Sequence, residues 1–208
     1  MVNDWNADEV KRAEQTWGHI FHPYTIDLFR FALANGDSYL DLGCGFGRFL
    51  EFLMDHKIEP DYIGYDSSPA MIERIRERFP EYSIRTFVRS ITDKITHDQE
   101  VVIASAVFVH LTVTDQVKIL TNIKAANPIA FAFDINCPTK SELDRLKIKQ
   151  TESYERVIMR AGFRMTWQNP LVMAERLLTM FPKFKLTQTF YDIKQGRYKV
   201  MNFLERIN

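Results

Sequence analysis

The chain has 208 residues, with 27 basic and 27 acidic side chains that cancel to zero net charge, and 46% hydrophobic content. This length suits one domain with a full core, and the balanced charge argues against a nucleic-acid binder, which carries a basic excess to meet phosphates. Cys44 and Cys137 lie too far apart in sequence for a CxxC metal pair and suggest no disulfide framework, while the polar start and the lack of a long apolar run predict neither a signal peptide nor a membrane span, so a reducing cytoplasm is expected.

Strand and helix signals alternate, the pattern of an α/β fold with a mainly parallel sheet. Trp5 to Leu33 reads as mostly helical, broken near His22-Pro23, and precedes a first strand over Ser38–Leu42. A helix from Arg48 puts Phe49, Leu50, Phe52 and Leu53 on one side. A short second strand ends at Asp66, and Ser68-Pro69 opens a helix to about Phe79, with proline at the favoured first turn. Ile84–Val88 predicts a third strand, and Val101–Ala104 is an apolar run fit for a strand buried on both faces. A helix begins at Thr114-Asp115, and Ile129–Ile135 follows as a fifth strand. The stretch after Pro138 reads as helical to Ala161 with Gly162 as its cap, then Phe163–Trp167 as a sixth strand. Leu171–Met180 reads as a helix stopped by Pro182, and the tail from Lys185 to Arg206 as β-rich with a turn at Gln195-Gly196.

The most informative stretch is Tyr39–Leu50, Y-L-D-L-G-C-G-F-G-R-F-L, where Gly43, Gly45 and Gly47 alternate between a strand end and a helix start. Glycine tolerates positive φ and close approach of a ligand, so such a turn offers backbone N–H groups to a polar ligand. Asp66, about twenty residues beyond the last glycine, stands at the end of the next strand, where a carboxylate suits the two hydroxyls of a ribose. The dinucleotide fingerprint G-x-G-x-x-G is not matched, because the third glycine comes one residue early and Arg48 fills the fingerprint's last slot.

L-D-L-G-C-G-F-G-R together with I-G-Y-D-S-S-P-A-M resembles the class I S-adenosylmethionine-dependent methyltransferases. The resemblance implies a doubly wound, mainly parallel seven-stranded sheet with helices on both faces, an antiparallel last strand and an N-terminal helical extension. It implies S-adenosylmethionine as cofactor, S-adenosylhomocysteine as product and no metal. It divides the single domain into a helical lid (1–36), a cofactor-binding core (37–167) and an acceptor-side segment with the last strand (168–208). By the same resemblance Gly43, Cys44, Gly45, Gly47 and Arg48 pack on the methionyl part with Asp41 near its ammonium. Asp66 holds the ribose, Ser67 and Met71 lie beside the adenine, Ser90 and Ile91 meet its edge, and Ala104 lies at the exit of the fourth strand. Family members often carry an acid where Ser90 stands, and Asp93 is an alternative partner for the adenine amino group.

His110 in V-F-V-H-L is the candidate general base, the alternative being a histidine bonded to a backbone carbonyl. His19, His22 and Tyr24 are candidate acceptor-lining residues on the lid. No Asn/Asp-Pro-Pro-aromatic motif or Pro-Cys pair follows the fourth strand. The expected acceptor is therefore an oxygen or nitrogen of a small molecule, with a peptide or protein side chain second and nucleic acid third. A non-catalytic methyltransferase-like module serving as a partner subunit is the reading from another class.

Overall fold

The computed structural model describes residues 5–17, 21–138, 144–145, 147, 155–160, 163–193 and 197–207. Two helices come first, α1 (Ala7–Trp17) and α2 (Pro23–Asn35), separated near His22-Pro23 as the sequence predicts. The chain then alternates β1 (Ser38–Leu42), α3 (Arg48–Asp55), β2 (Asp61–Asp66), α4 (Pro69–Arg78), β3 (Thr86–Val88), β4 (Val101–Ala104), α5 (Val113–Ala126) and β5 (Ala130–Pro138). Local chemistry sets these boundaries. The Ser68 hydroxyl accepts from Met71 N–H at the start of α4, with Pro69 at the first turn. Thr112 likewise caps α5 by accepting from Asp115 N–H, and Asn127 ends that helix in the left-handed region at φ 56°.

The first five strands are all parallel in the order β3-β2-β1-β4-β5. Strand alternation splits their side chains between two cores. Tyr39, Tyr62, Val101, Ile103, Ala130 and Ala132 face α2, α3 and α4. Leu40, Leu42, Ile63, Val102, Phe131 and Phe133 face α5 and a later helix, α6 (Pro170–Met180). Helices on both faces explain why β4 reads as continuously apolar. No helix among the described residues is long and apolar enough to cross a membrane.

The far half of the sheet departs from expectation. Among the described residues the sheet holds nine strands, two more than predicted. Glu155–Arg160, expected within a helix, is strand β6, and it pairs antiparallel with β7 (Phe163–Gln168). Cross-strand pairing with a β-favouring neighbour overrides the local helical reading; Gly162 lies outside the described residues, as does the turn at Gln195-Gly196. β8 (Phe184–Ile193) and β9 (Arg197–Arg206) form a second antiparallel pair, and β9 lies antiparallel along the whole of β5. The sixth strand predicted over Phe163–Trp167 is β7, and the predicted antiparallel last strand is β9. β6 pairs with β7, and this pair stands beside the row β3-β2-β1-β4-β5-β9-β8 as an addition to it.

The geometry of β5 says where that addition sits. One of its two edges is taken by β9 from Ala130 to Pro138, and the other by β4 from Ala130 to Phe133. β7 meets β5 at Asn136, so it must occupy the row that β4 leaves vacant past its carboxyl end. The β6–β7 pair thus stands over the exit of β4, where loops of a doubly wound sheet gather around a ligand.

Phe131→Ala is expected to destabilise the fold by about 3–5 kcal/mol in urea denaturation, because its fully buried ring contacts Phe133, Phe181 and Phe184. Ile84→Ala is expected to stay within about 0.5 kcal/mol, since Ile84 is 82% exposed and falls in the turn before β3 and not in the strand.

Candidate active site

The glycine turn closes on the end of β2. Register places Asp41 beside Gly64 and Leu42 beside Tyr65, so the turn begins where β2 is about to end. The amides of Gly43 and Cys44 both donate to the Tyr65 carbonyl, at 2.7 and 3.0 Å. One residue on, Gly45 N–H donates to Asp66 Oδ2 at 3.0 Å, and Ser68 N–H donates to Asp66 Oδ1 at 2.8 Å. The Asp66 carboxylate is thus fixed between the turn and the start of α4. Burial raises its pKa above the ordinary 3.8, and the two amides partly offset that.

Gly43, Gly45 and Gly47 all have positive φ, at 74°, 55° and 88°. What surrounds them differs. A Cβ on Gly43 would meet Val107 Cγ2 at 2.4 Å, and one on Gly47 would meet Ile75 Cγ1 at 2.8 Å. Both are filled by the protein's own packing. A Cβ on Gly45 would come no closer than 3.8 Å to any described atom, the neighbour being Met71 Sδ. The turn is open there, directly beside Asp66, and such a cradle fits the adenosine-containing cofactor that the glycine spacing predicts.

Beneath the turn lies a buried polar group. Asp41 is 3% exposed, and its Oδ2 accepts from the Tyr62 hydroxyl at 3.1 Å. Burial foremost, then the charge of Asp66, lifts its pKa from 3.8 to about 7 against the opposing effect of Tyr62. Cys44 turns its thiol inward to the same hydroxyl, and burial pushes its pKa up. Only its backbone faces the turn's outer side.

The remaining predicted residues arrange themselves around this centre. Arg89 N–H donates to the Asp66 carbonyl at 2.8 Å, which brings Ser90 and Ile91 beside β2. The Ser90 hydroxyl is shared with Thr92 Oγ1 at 2.8 Å, Asp93 is exposed, and Ile91 is buried in the core. Ser67 is half-buried, and Met71 packs with Val10, Ala13 and Phe46, so α1 covers this end of the site. Glu14 of α1 ties the cover down by pairing with Arg74 at 2.7 Å and with Arg78 at 3.4 Å. Ala104 is buried at the end of β4.

His110 lies in a 3-10 turn, Phe108–His110, whose neighbour Val107 packs on Gly43. This turn is bolted to the added strand pair. The Gln116 amide donates to the Phe108 carbonyl at 2.9 Å, Gln168 of β7 donates to Gln116 Oε1, and the Thr166 hydroxyl donates to the Leu111 carbonyl at 2.7 Å. His22 stacks on Tyr24 at 5.0 Å, at the start of α2; His19 lies outside the described residues.

Sequence reading missed two residues of this region. Asp134 of β5 and Lys199 of β9 form a buried ion pair, with Asp134 Oδ1 also accepting from Ala106 N–H on the β4 exit. The Tyr24 ring lies 5.7 Å from the Lys199 ammonium. Arg48 is close enough to Asp134 and Tyr24 for their charges to favour its cationic form, although burial lowers its pKa. An acid inside an otherwise apolar strand (F-A-F-D-I) was the available signal for Asp134; Lys199 carried none, because its pairing is long-range.

The raised Asp41 carboxyl takes up a proton on folding between its ordinary 3.8 and about 7, so the stability it contributes is full below that window and is lost as the pH rises through it. Asp41→Asn is accordingly expected to raise the melting temperature at pH 8, with the gain shrinking as the pH is lowered towards 5. Calorimetric scans of both proteins across that range are the measurement. A gain independent of pH would contradict the burial assignment.

Residues 40–126 match a family model described as a methyltransferase domain. Among solved structures, the fold is similar to 1,6-didemethyltoxoflavin-N1-methyltransferase of Burkholderia thailandensis, at 13% identity and TM-score 0.67, covering 97% of this chain and 85% of that one. It is similar to magnesium protoporphyrin IX methyltransferase of Synechocystis PCC 6803, at 13% identity and TM-score 0.66, covering 97% and 95%. Human N-acetylserotonin methyltransferase is similar over 98% of this chain and 57% of its own length, at 10% identity and TM-score 0.64. Residues 40–126, which hold the glycine turn and the carboxylate at the end of β2, are thus similar to a methyltransferase domain, and the chain shares the fold of these solved methyltransferases.

Proposed function

We propose that the open side of the turn at Gly45, beside Asp66, receives S-adenosylmethionine, and that the chain passes its methyl group to an oxygen or nitrogen of a small molecule. The observation that carries this reading is the space over Gly45, which no described side chain fills, next to a carboxylate held by two amides. Gly43, Cys44, Gly45 and Gly47 present backbone to the methionyl part, and the Arg48 charge meets its carboxylate. Asp41, one layer beneath, acts on the ammonium through its charge and not by direct contact. Asp66 accepts the ribose hydroxyls, while Ser67, Met71, Ser90 and Ile91 border the adenine. Ala104 lies alongside the methionyl chain.

When bound, S-adenosylmethionine supplies a methyl group already activated on sulfur. The chain's part is then to orient an acceptor and exclude water. α1 over Met71, α2 with His22 and Tyr24, and the β6–β7 pair over the β4 exit surround that position and do the excluding. His110 serves as base where the acceptor arrives protonated. The similar structures named for toxoflavin, porphyrin and N-acetylserotonin methylation favour a small-molecule acceptor over a protein or nucleic-acid one.

Thermal unfolding in S-adenosylmethionine, S-adenosylhomocysteine and NAD tests the donor. A ligand at a hundred times its dissociation constant stabilises by about 2.7 kcal/mol, and the first two are expected to do so while NAD does not. Asp66→Ala is expected to abolish that shift. Gly45→Ala is expected to weaken it more than its own effect on stability, whereas Gly43→Ala is expected to unfold more readily with or without ligand, through the clash at Val107. Transfer of labelled methyl to a small-molecule acceptor panel tests the acceptor class, and label incorporated only into protein would overturn it.

A further inference from the structure

We propose that Lys199, held by Asp134 beneath Tyr24, binds an anionic oxygen of the methyl acceptor, so that the substrates are small carboxylic acids or acidic phenols and enols. This rests on the reading of a small-molecule methyltransferase given above and narrows it.

Position comes first. On the face of the sheet that carries α2, β5 runs Ala130, Ala132 and then Asp134 and Asn136, while β9 runs Phe203, Met201 and then Lys199. Ala130, Ala132, Phe203 and Met201 make the middle of this face apolar, and it turns polar at Asp134, Asn136 and Lys199 towards the end of the sheet that bears the glycine turn. Asn136 lies directly opposite Lys199 in register. Ala106, which binds Asp134, belongs to the exit of β4 between Ala104 and the His110 turn. The pair therefore sits beside the β4 exit and the His110 turn, on the side of the glycine turn away from Asp66.

The hydrogen-bond inventory gives the chemistry. Asp134 is 2% exposed, and each of its oxygens already has a donor, Oδ2 the Lys199 ammonium and Oδ1 the Ala106 amide. The carboxylate has little left to offer a ligand. An ammonium has three N–H donors, and among the described residues the only hydrogen bond of the Lys199 side chain is to Asp134. The Tyr24 ring faces it at 5.7 Å, and its residue is 8% exposed. A site built this way donates and does not accept. The Lys199 ammonium, with Asp134 covered behind it, favours an anionic acceptor and repels a protonated amine. Burying an ion pair in a sheet costs several kcal/mol per ion before attraction repays it, and a well-packed apolar pair would continue the stripe without that cost. An acceptor that arrives as an anion also has no proton to lose, which leaves no task for a base.

The test uses the protein saturated with S-adenosylhomocysteine and three aromatic probes of one size: benzoate, benzamide and benzylamine. Dissociation constants come from ligand-observed NMR titration. Benzoate is expected to bind at least about tenfold tighter than benzamide, with benzylamine weakest. Lys199→Met alone leaves Asp134 buried without its partner, so the informative variant is the neutral double exchange Lys199→Met with Asp134→Asn, checked for folding by circular dichroism. It is expected to bring the benzoate-to-benzamide ratio to about one while keeping the thermal shift by S-adenosylhomocysteine. Absence of a benzoate preference in the wild type overturns the inference alone, provided that shift is normal. So does a preference that survives the double exchange, or loss of the shift in the double variant, which would make the pair part of the donor site. No shift in the wild type would overturn the donor reading and this inference together.

Discussion

One carbonyl oxygen organises the donor side of this molecule. The Tyr65 carbonyl, at the last position where β2 is in register with β1, receives the amides of both Gly43 and Cys44. Two amides can reach one oxygen only if the chain reverses within a residue, and Gly43 at φ 74° permits that reversal. Everything downstream inherits the position. Gly45 is delivered to Asp66, Gly47 is delivered to the side of α4 at Ile75, and α3 starts with Arg48 at its head. The strand end, the turn and the helix start are thus one rigid piece, which is what a backbone-lined ligand site requires.

The electrostatics of that piece run against the protein's own comfort. Asp41 and Asp66 are two carboxyls in adjacent strands, both raised in pKa by burial, with Asp66 raising Asp41 further. Their charge has no cation beside it on the donor side of the turn among the contacts that set those values. The donor proposed for this turn, with positive charge on its ammonium and sulfonium, would relieve this field on binding. At the other end of the same face the signs reverse, with Lys199 and Arg48 around Asp134. Two adjoining regions of opposite character, acidic at the glycine turn and basic around Asp134, therefore share one end of the sheet.

How much of this was legible in the sequence follows from how local each feature is. The turn, Asp66 and the first five strands were readable, because a glycine run, a capped helix start such as Ser68-Pro69, and an apolar run such as Val101–Ala104 each announce themselves within a few residues. Glu155–Arg160 was misread as helix because its state is decided by pairing with Phe163–Gln168 and not by its own propensity. The placement of β7 against β5 at Asn136 depends on where β4 happens to stop, which no local window contains. Lys199 was invisible for the same reason: its partner Asp134 lies in another strand, and nothing in R-Y-K-V marks a buried lysine. Which glycine is open and which are filled was equally hidden, since Val107 and Ile75 come from distant segments.

The long antiparallel pairing of β9 with β5 also carries a cost in time. Phe131 and Phe133 belong to a strand whose second edge has no partner until the whole stretch between Pro138 and Arg197 has been made and β9 has returned. During synthesis, that strand is an apolar edge open to other chains. Closing it is a contact between distant parts of the sequence, the kind that slows folding. A ribosome-bound chain halted before β9 should thus hold a formed glycine turn beside an unfinished, adhesive sheet, which makes the last strand the step at which solubility in the cell is decided.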